Sequence, residues 1–449
     1  MEQFRILQLI LVTFLCLCKI HELRINLTTL IPPRKRPRDT QLPFHSKRRR
    51  IRWSSWARSL GPIDFKRHHR ISVELFDKIH EKIKHRITTQ SKYARKTCCR
   101  SNESAVDSRS RLSMFLKHLS GSKIQDIEKT HGVSRSTVTQ AIHMTMDAII
   151  HHYRIPEFPF DNAQRLQDIA DGFRSKSTGG LFANVVGAFD GFLLRINKRC
   201  IGKGSGVQDP SKFYCHKGYY AINCQVCCDS NRKILSLSLL CPGAVPDVLA
   251  HLKSQMHRAI ETGKLPDPFH FIGDNAYPKS EKMLTPFTRT QLREDVHGQM
   301  DNFNFYLSQL RINIECCFGM MINKFPILQT ALGTTKLSTA TKTFTVCCIL
   351  HNLCIEERLE NDADAPQAFA SPNQERYRQV PTMADVDQLT EDADFEYVPI
   401  VDEVEAEELR NAQTNVGVVS SGITEPDVNA SVLDKMLYKI AASGYVRPR

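Results

Sequence analysis

Phe271-Ile272-Gly273-Asp274-Asn275-Ala276-Tyr277-Pro278 is an apolar strand that delivers one carboxylate, Asp274, and then turns away. In α/β proteins, ligands and metals sit at strand ends followed at once by turn chemistry. Two other acids stand in comparably apolar surroundings. Asp190 lies upstream in Val186-Gly187-Ala188-Phe189-Asp190-Gly191, and Glu315 lies downstream among Ile312, Ile314, Cys316, Cys317 and Phe318. An acid in such company is either paired or coordinates a cation. Arg311, one turn before Glu315, is the available partner.

Around these acids the sequence reads as strands and helices. Phe182–Ile196 forms a strand carrying Asp190, whose apolar run ends at the acid beside Gly191, where the missing side chain lets a ligand approach. Tyr219–Asp229 and Ile234–Cys241 are the next two strands, and Pro268–Gly273 is the fourth. Helices are expected over Asp247–Thr262, Asn302–Lys324 and Thr341–Leu359, the second with Leu307, Leu310, Ile314, Phe318 and Met321 as its stripe. Residues 151–180, punctuated by Pro156, Pro159, Gly172, Gly179 and Gly180, read as a connection.

Upstream the periodicity is helical. Val73, Leu75, Phe76, Ile79 and Ile83 form one stripe, a polar gap spans Thr88–Ser110, and Leu112, Phe115, Leu116 and Leu119 form another. Then come Lys123–Thr130, a turn at His131-Gly132-Val133, and a helix opening at Ser134 or Ser136. Ile124, Ile127, Val133, Val138 and Ile142 have helix-turn-helix spacing. That places Arg135, Ser136, Thr137, Thr139 and Gln140 at the front of the second helix, where such motifs meet the major groove.

Charge is divided sharply along the chain. The net charge is +13, yet residues 356–449 carry 20 acidic and 8 basic side chains, leaving 53 basic and 28 acidic in 1–355. A basic body with an acidic tail points to a polyanionic partner, nucleic acid before an anionic membrane surface. Arg195, Lys198, Arg199, Lys203, Lys212 and Lys217 follow the first acid closely and are candidate phosphate contacts. Arg34-Lys35-Arg36-Pro37-Arg38 and Lys47-Arg48-Arg49-Arg50-Ile51-Arg52 read as a disordered basic arm, a nuclear-import signal or phosphate-binding tail.

The apolar stretch at 4–18 is too short for a membrane span. It has Arg5 in front like a signal peptide but lacks a small-x-small cleavage site. A partner helix, or an extension upstream of the protein proper, is the preferred reading. Fifteen cysteines in an odd count with adjacent pairs indicate reduced, mostly buried thiols rather than a disulfide framework. Cys224 and Cys227 make a C-x-x-C without a second pair at zinc-ribbon spacing, which argues against zinc.

Together the segments 186–191 and 272–278, Arg311-Ile312-Asn313-Ile314-Glu315-Cys316-Cys317-Phe318-Gly319 and Leu350-His351-Asn352 resemble the Harbinger-type DDE transposases and their domesticated nuclease relatives. The resemblance covers about residues 60–355, with four motifs in the family's order. It implies an α/β fold with a ribonuclease-H-like mixed sheet and flanking helices, preceded by an all-helical helix-turn-helix region. It also implies a metal-binding triad of Asp190, Asp274 and Glu315 that cuts DNA. Pro242-Gly243-Ala244-Val245-Pro246-Asp247 resembles a further family segment, which makes Asp247 a fourth acidic ligand or a helix cap; Ala244 and Pro246 replace the usual Ser and His there. Tyr214-Cys215-His216-Lys217-Gly218 matches the family's basic strand entry, with His216 where Arg is common.

The expected organisation is a mostly disordered basic arm (1–60), a helical region (61–155), a nuclease domain (181–355) and a largely disordered acidic tail (356–449). A short amphipathic piece near Val432–Ile440 could dock. The expected activity is metal-dependent DNA cleavage; the rival is a catalytically silent DNA-binding or chromatin protein keeping the fold. The expected cofactor is a divalent cation, Mg²⁺ before Mn²⁺, since hard ions prefer carboxylate oxygens. Expected partners are DNA, further copies of the chain and a separate DNA-binding protein, with no membrane, in the nucleus rather than the cytoplasm.

Overall fold

The computed structural model describes Trp53, Trp56 and residues 59–88, 106–202, 204–295, 297–363 and 430–447. The apolar stretch at 4–18, both basic clusters, Lys203 and the acidic sequence over 364–429 lie outside the described residues. The described residues fall within one compact unit.

Five strands build a mixed sheet: β1 (Val185–Arg195), β2 (Ala221–Cys228), β3 (Ile234–Pro242), β4 (His270–Ile272) and β5 (Met283–Leu284). Their order is β3-β2-β1-β4-β5. β1, β2 and β3 pair antiparallel, whereas β4 runs parallel to β1 and β5 parallel to β4. This is the ribonuclease-H-like arrangement, with helices on the sheet. Strands covered on both faces lose the polar alternation of a half-exposed sheet, and every residue of β2 is buried.

The two faces of β1 meet different partners, since successive strand side chains alternate. Phe192 packs against Phe318 and Phe344, with ring centroids 5.2 and 4.9 Å away. These belong to α10 (Gln299–Lys324) and α11 (Leu337–Ala363). Phe189, on the other face, meets His251 and Phe271 at 5.0 and 5.1 Å. Asn352 of α11 fastens β3: its side chain accepts from the Ile234 N–H and donates to the Ile234 carbonyl, both at 2.8 Å. The Leu-His-Asn motif therefore anchors the sheet, with His351 Nε2 2.8 Å from the Arg232 carbonyl.

The helical region consists of α1 (Pro62–His69), α2 (Val73–Ile87), α3 (Ser108–Leu119), α4 (Ile124–His131) and α5 (Arg135–His152). Leu75, Phe76, Ile79 and Ile83 are buried as their spacing requires. Ser134 caps α5 by accepting from the Thr137 N–H at 3.3 Å, and Gly132 makes the preceding turn at φ 63°. α5 is tied to α11 by Lys342–Asp147 at 2.7 Å.

Several elements differ from the sequence expectation. Residues 151–180 are not a plain connection: α6 (Ala163–Lys176) buries Leu166, Ile169, Ala170 and Phe173 against the sheet. Gly172 is not punctuation there. A Cβ at that position would stand 2.5 Å from Ser230 Oγ, so the glycine allows close packing. The expected helix over 247–262 is two, α7 (Asp247–Leu252) and α8 (Gln255–Glu261), because Ser254 caps a new start. α1, β5 and α9 (Arg289–Leu292) were not anticipated. The amphipathic piece of the tail is α12 (Val432–Ala442), which buries Leu433, Met436 and Ile440 and packs on α10. No helix among the described residues is long and apolar enough to cross a membrane.

Because Phe192 joins β1 to two helices at once, Phe192→Ala should cost about 3–5 kcal/mol, the usual range for a buried Phe→Ala change. Urea unfolding measures it, and a loss below about 1 kcal/mol would contradict the packing described.

Candidate active site

Strand register brings the first two acids together. Ala188 of β1 pairs in parallel with Ile272 of β4. Asp190 follows two residues later within β1 and Asp274 two residues later just past the end of β4, close enough that the charge of Asp274 acts on Asp190. Asp190 is not at a strand end, because β1 continues to Arg195; it is a mid-strand acid sharing a face with Phe192. Each carboxylate accepts one backbone N–H, Asp190 from Gly191 at 2.8 Å and Asp274 from Ala276 at 2.9 Å.

Two neighbouring carboxylates largely removed from water resist ionising together. Burial and then the like charge of Asp274 push the Asp190 carboxyl up to about 7, against the lowering effects of the Gly191 N–H and Arg311. Burial also raises Asp274, with the Ala276 N–H and Arg311 opposing and Asp247 and Glu315 adding to the rise. The cation common to both acids is Arg311.

Arg311 and Glu315 are successive-turn neighbours on α10. The Arg311 guanidinium donates to Glu315 Oε1 at 2.5 Å. Glu315 is half exposed and Arg311 largely covered. Arg311 Nε is buried and has no hydrogen-bond partner among the described residues. The ion pair anticipated for Glu315 is therefore formed, and its cation also faces the two aspartates. An exposed carboxylate held by such a pair gains only about 0–1 kcal/mol, so a stronger cation can displace it.

Asp247 occupies the other face of β1. Gly191 has no side chain because Asp247 fills that place: a Cβ there would stand 2.0 Å from Asp247 Oδ1. The expectation that Gly191 admits a ligand is corrected accordingly. Asp247 Oδ1 accepts from Asn223 Nδ2 and from Gln225 Nε2, both at 2.9 Å. Tyr277, almost wholly buried, donates to Gln225 Oε1 at 2.6 Å. A buried polar chain thus runs from Tyr277, just past Asp274, through β2 to Asp247. As the first residue of α7, Asp247 makes no side-chain cap.

Asn223, Gln225 and Tyr277 were missed as functional residues. The available signal was two amides at alternate positions in a strand otherwise made of Ala, Ile, Cys and Val. Buried amides in such a strand are hydrogen-bonded to something, and here it is an acid.

The donor set is oxygen-rich, which suits a hard divalent cation, and the raised carboxyls of Asp190 and Asp274 are those of acids lacking a full counter-charge. Among the described residues, however, no group of three or more His, Cys, Asp or Glu is arranged to hold an ion. Asp190 and Asp274 are adjacent, Glu315 is turned to Arg311, and Asp247 is tied to amides. The described cysteines, Cys224 and Cys227 included, are free thiols, and all but Cys316 and Cys354 are buried.

The candidate DNA contacts fall into two groups along the chain. Arg195, Lys198, Arg199, Lys212 and Lys217 are exposed around the end of β1 and the start of β2. Arg135, Ser136 and Gln140 are exposed on α5, with Thr137 and Thr139 half buried.

Residues 189–352, which carry all four acids, Arg311 and the His351-Asn352 anchor, match the family described as DDE superfamily endonuclease. This segment is similar to that family. Two relatives named "Putative nuclease HARBI1", from Rattus norvegicus and Homo sapiens, are 22% and 21% identical over 233 and 232 residues, which is 51% of this chain and 62% of each relative. The chain thus matches less than two thirds of those proteins' length. The Arabidopsis thaliana "Protein ALP1-like" is 23% identical over 350 residues, 73% of this chain and 80% of its own. A piggyBac transposase chain, from a synaptic complex with hairpin DNA, is 11% identical with a TM-score of 0.30, covering 81% of this chain and 87% of that one. The match therefore begins within β1 and ends in α11.

The Asp190 carboxyl binds its proton more tightly in the folded than in the unfolded chain. Its contribution to stability is complete below an unfolded pKa of about 4 and is lost as pH rises through about 7. Without divalent metal, the wild type should lose about 1.4 kcal/mol per pH unit across that window relative to Asp190→Asn. Thermal melts in chelator between pH 5 and 8 check this, and parallel curves for the two proteins would contradict it.

Proposed function

We propose that this protein is a divalent-metal-dependent DNA endonuclease of the transposase type, with Asp190, Asp274 and Glu315 as its metal-binding carboxylates. The reading rests chiefly on the register that sets Asp190 beside Asp274, inside a segment similar to the DDE superfamily endonuclease family. A bound divalent cation, Mg²⁺ or Mn²⁺, would supply Lewis-acid polarisation of the phosphodiester and lower the pKa of the attacking water or 3′-hydroxyl.

The chain's own groups prepare that chemistry. Asp190, in β1, and Asp274, just past the end of β4, present neighbouring carboxylates. Arg311 offsets their charge until a cation takes its place, and Glu315, on an exposed helix face, is then free to turn inward. Asp247, braced by Asn223 and Gln225, adds negative field from behind β1 rather than a first contact. Arg195, Lys198, Arg199, Lys212 and Lys217 would hold phosphates beside the acids. The front of α5, with Arg135, Ser136, Thr137, Thr139 and Gln140, would meet the major groove as a helix-turn-helix element does. A DNA substrate makes the nucleus the place of work.

One observation favours a second reading, a catalytically silent DNA-binding protein. Glu315 is engaged by Arg311, a pairing that would serve stability alone if no cation ever replaced it. That protein would bind DNA with a steep salt dependence and no metal requirement.

Cleavage of labelled DNA with Mg²⁺ or Mn²⁺ separates the two. Asp190→Ala, Asp274→Ala and Glu315→Ala should each reduce cleavage by more than about 100-fold, beyond the loss typical of an outer-shell partner. Equal activity in all four proteins, or none in the wild type under either metal, would overturn the nuclease reading.

A further inference from the structure

The segment between β1 and β2 contains an arrangement that phosphate contacts alone do not account for. Tyr214, Tyr219 and Tyr220 fall within seven residues. A tight turn holds them: the Cys215 N–H donates to the Tyr219 carbonyl and the Gly218 N–H to the Cys215 carbonyl, each at 2.9 Å. Tyr214 and Tyr220 face each other across an isolated antiparallel bridge. Their rings meet in a T-shaped contact, centroids 5.2 Å apart.

Cations sit against this aromatic group. The Arg195 guanidinium lies 4.0 Å from the Tyr219 ring centre, and the Lys198 ammonium 5.9 Å from that of Tyr220. Lys212 and Lys217 are exposed nearby in sequence. Among the described residues none of these four side chains forms an ion pair with a carboxylate, although the charge of Lys212 acts on the Asp209 carboxylate. Tyr214 remains 52% exposed.

A single exposed tyrosine needs no explanation. An exposed ring held by a turn, edged by a second ring and next to rings that carry two cations is different. It combines the two parts of a single-strand site, an aromatic surface for a base and positive charge for its phosphates. A base inside a duplex has both faces covered by its neighbours. Only one that is unpaired, flipped or at a frayed end can stack on a side chain.

We infer that Tyr214, supported by Tyr220 and flanked by Arg195 and Lys198, is a stacking platform for an unpaired nucleotide of bound DNA. The inference deepens the DNA-cleaving reading and rests on it only for the identity of the polymer. The preferred substrate is DNA with an unpaired strand near the site of attack, rather than a uniform duplex. Tyr214 binds the base, while Arg195 and Lys198 hold the adjoining phosphates.

The test measures binding alone, in chelator, so it does not depend on cleavage. The full chain, as wild type, Tyr214→Ala and Tyr214→Trp, is titrated with a duplex bearing a short 3′ overhang that contains 2-aminopurine. The comparison probe is a blunt duplex of the same paired sequence. Tyr214→Ala should weaken binding to the overhang probe about 10- to 100-fold, the size of one base-on-aromatic stack, and leave blunt-duplex binding within about twofold. Tyr214→Trp should restore affinity, and 2-aminopurine fluorescence should be quenched by wild type and Tyr214→Trp only. Equal losses on both probes, or no loss on the overhang, would overturn the platform, as would a Tyr214 surface that serves a protein partner. A protein that keeps the overhang preference but never cuts DNA would sink the nuclease reading and leave this inference standing.

Discussion

Asp190 and Asp274 reach each other because β4 runs parallel to β1 with Ala188 opposite Ile272. A one-residue slip of β1 would turn Asp190 to the opposite face. The juxtaposition is unfavourable in itself, since like charge from Asp274 adds to burial in raising the pKa of the half-buried Asp190. Much of the surrounding structure can be understood as holding it in place. β1 is clamped on one face by Phe318 and Phe344 through Phe192, and on the other by Phe271 and His251 through Phe189. The strand cannot rotate to separate the carboxylates without breaking both layers.

Charge around the pair is arranged in tiers. Arg311, on α10, acts electrostatically on both aspartates and pairs with Glu315, so one guanidinium serves three acids. Behind the strand, Asp247 is fixed by Asn223 and Gln225, and Tyr277 locks Gln225 in turn. Removing one member of a buried polar network leaves its partners unsatisfied. The network therefore ties the loop after Asp274 to the start of α7 and stiffens the site from the side away from solvent. The helical region joins the same body through α11, which contacts α5 and also carries His351 and Asn352 against the β2–β3 turn. A DNA contact made by α5 would thus be coupled mechanically to the sheet.

Much of this was legible in the sequence, for specific physical reasons. Asp274 and Glu315 stood out because a charge amid apolar residues must be paired or coordinating, and the Arg311 partner followed from helix spacing. The strands β1 to β4 and the α4–α5 turn followed from periodicity and capping residues. What was hidden depends on tertiary contact. Gly172 looks like a break but permits α6 to approach Ser230, and Gly191 looks like an open approach but is filled by Asp247. β5 is two residues long, too short for alternation to register. Asn223 and Gln225 gave only a faint local signal, because their partner lies 24 and 22 residues away.

The most direct test of the carboxylate pair is Mn²⁺ binding followed by electron paramagnetic resonance at pH 8, without DNA. Wild type should bind Mn²⁺, Asp190→Asn and Asp274→Asn should each lose most of that binding, and Arg311→Gln should bind more tightly because the competing cation is gone. Unchanged Mn²⁺ affinity in Asp190→Asn and Asp274→Asn, or weaker binding in Arg311→Gln, would contradict a metal site built on these two strands.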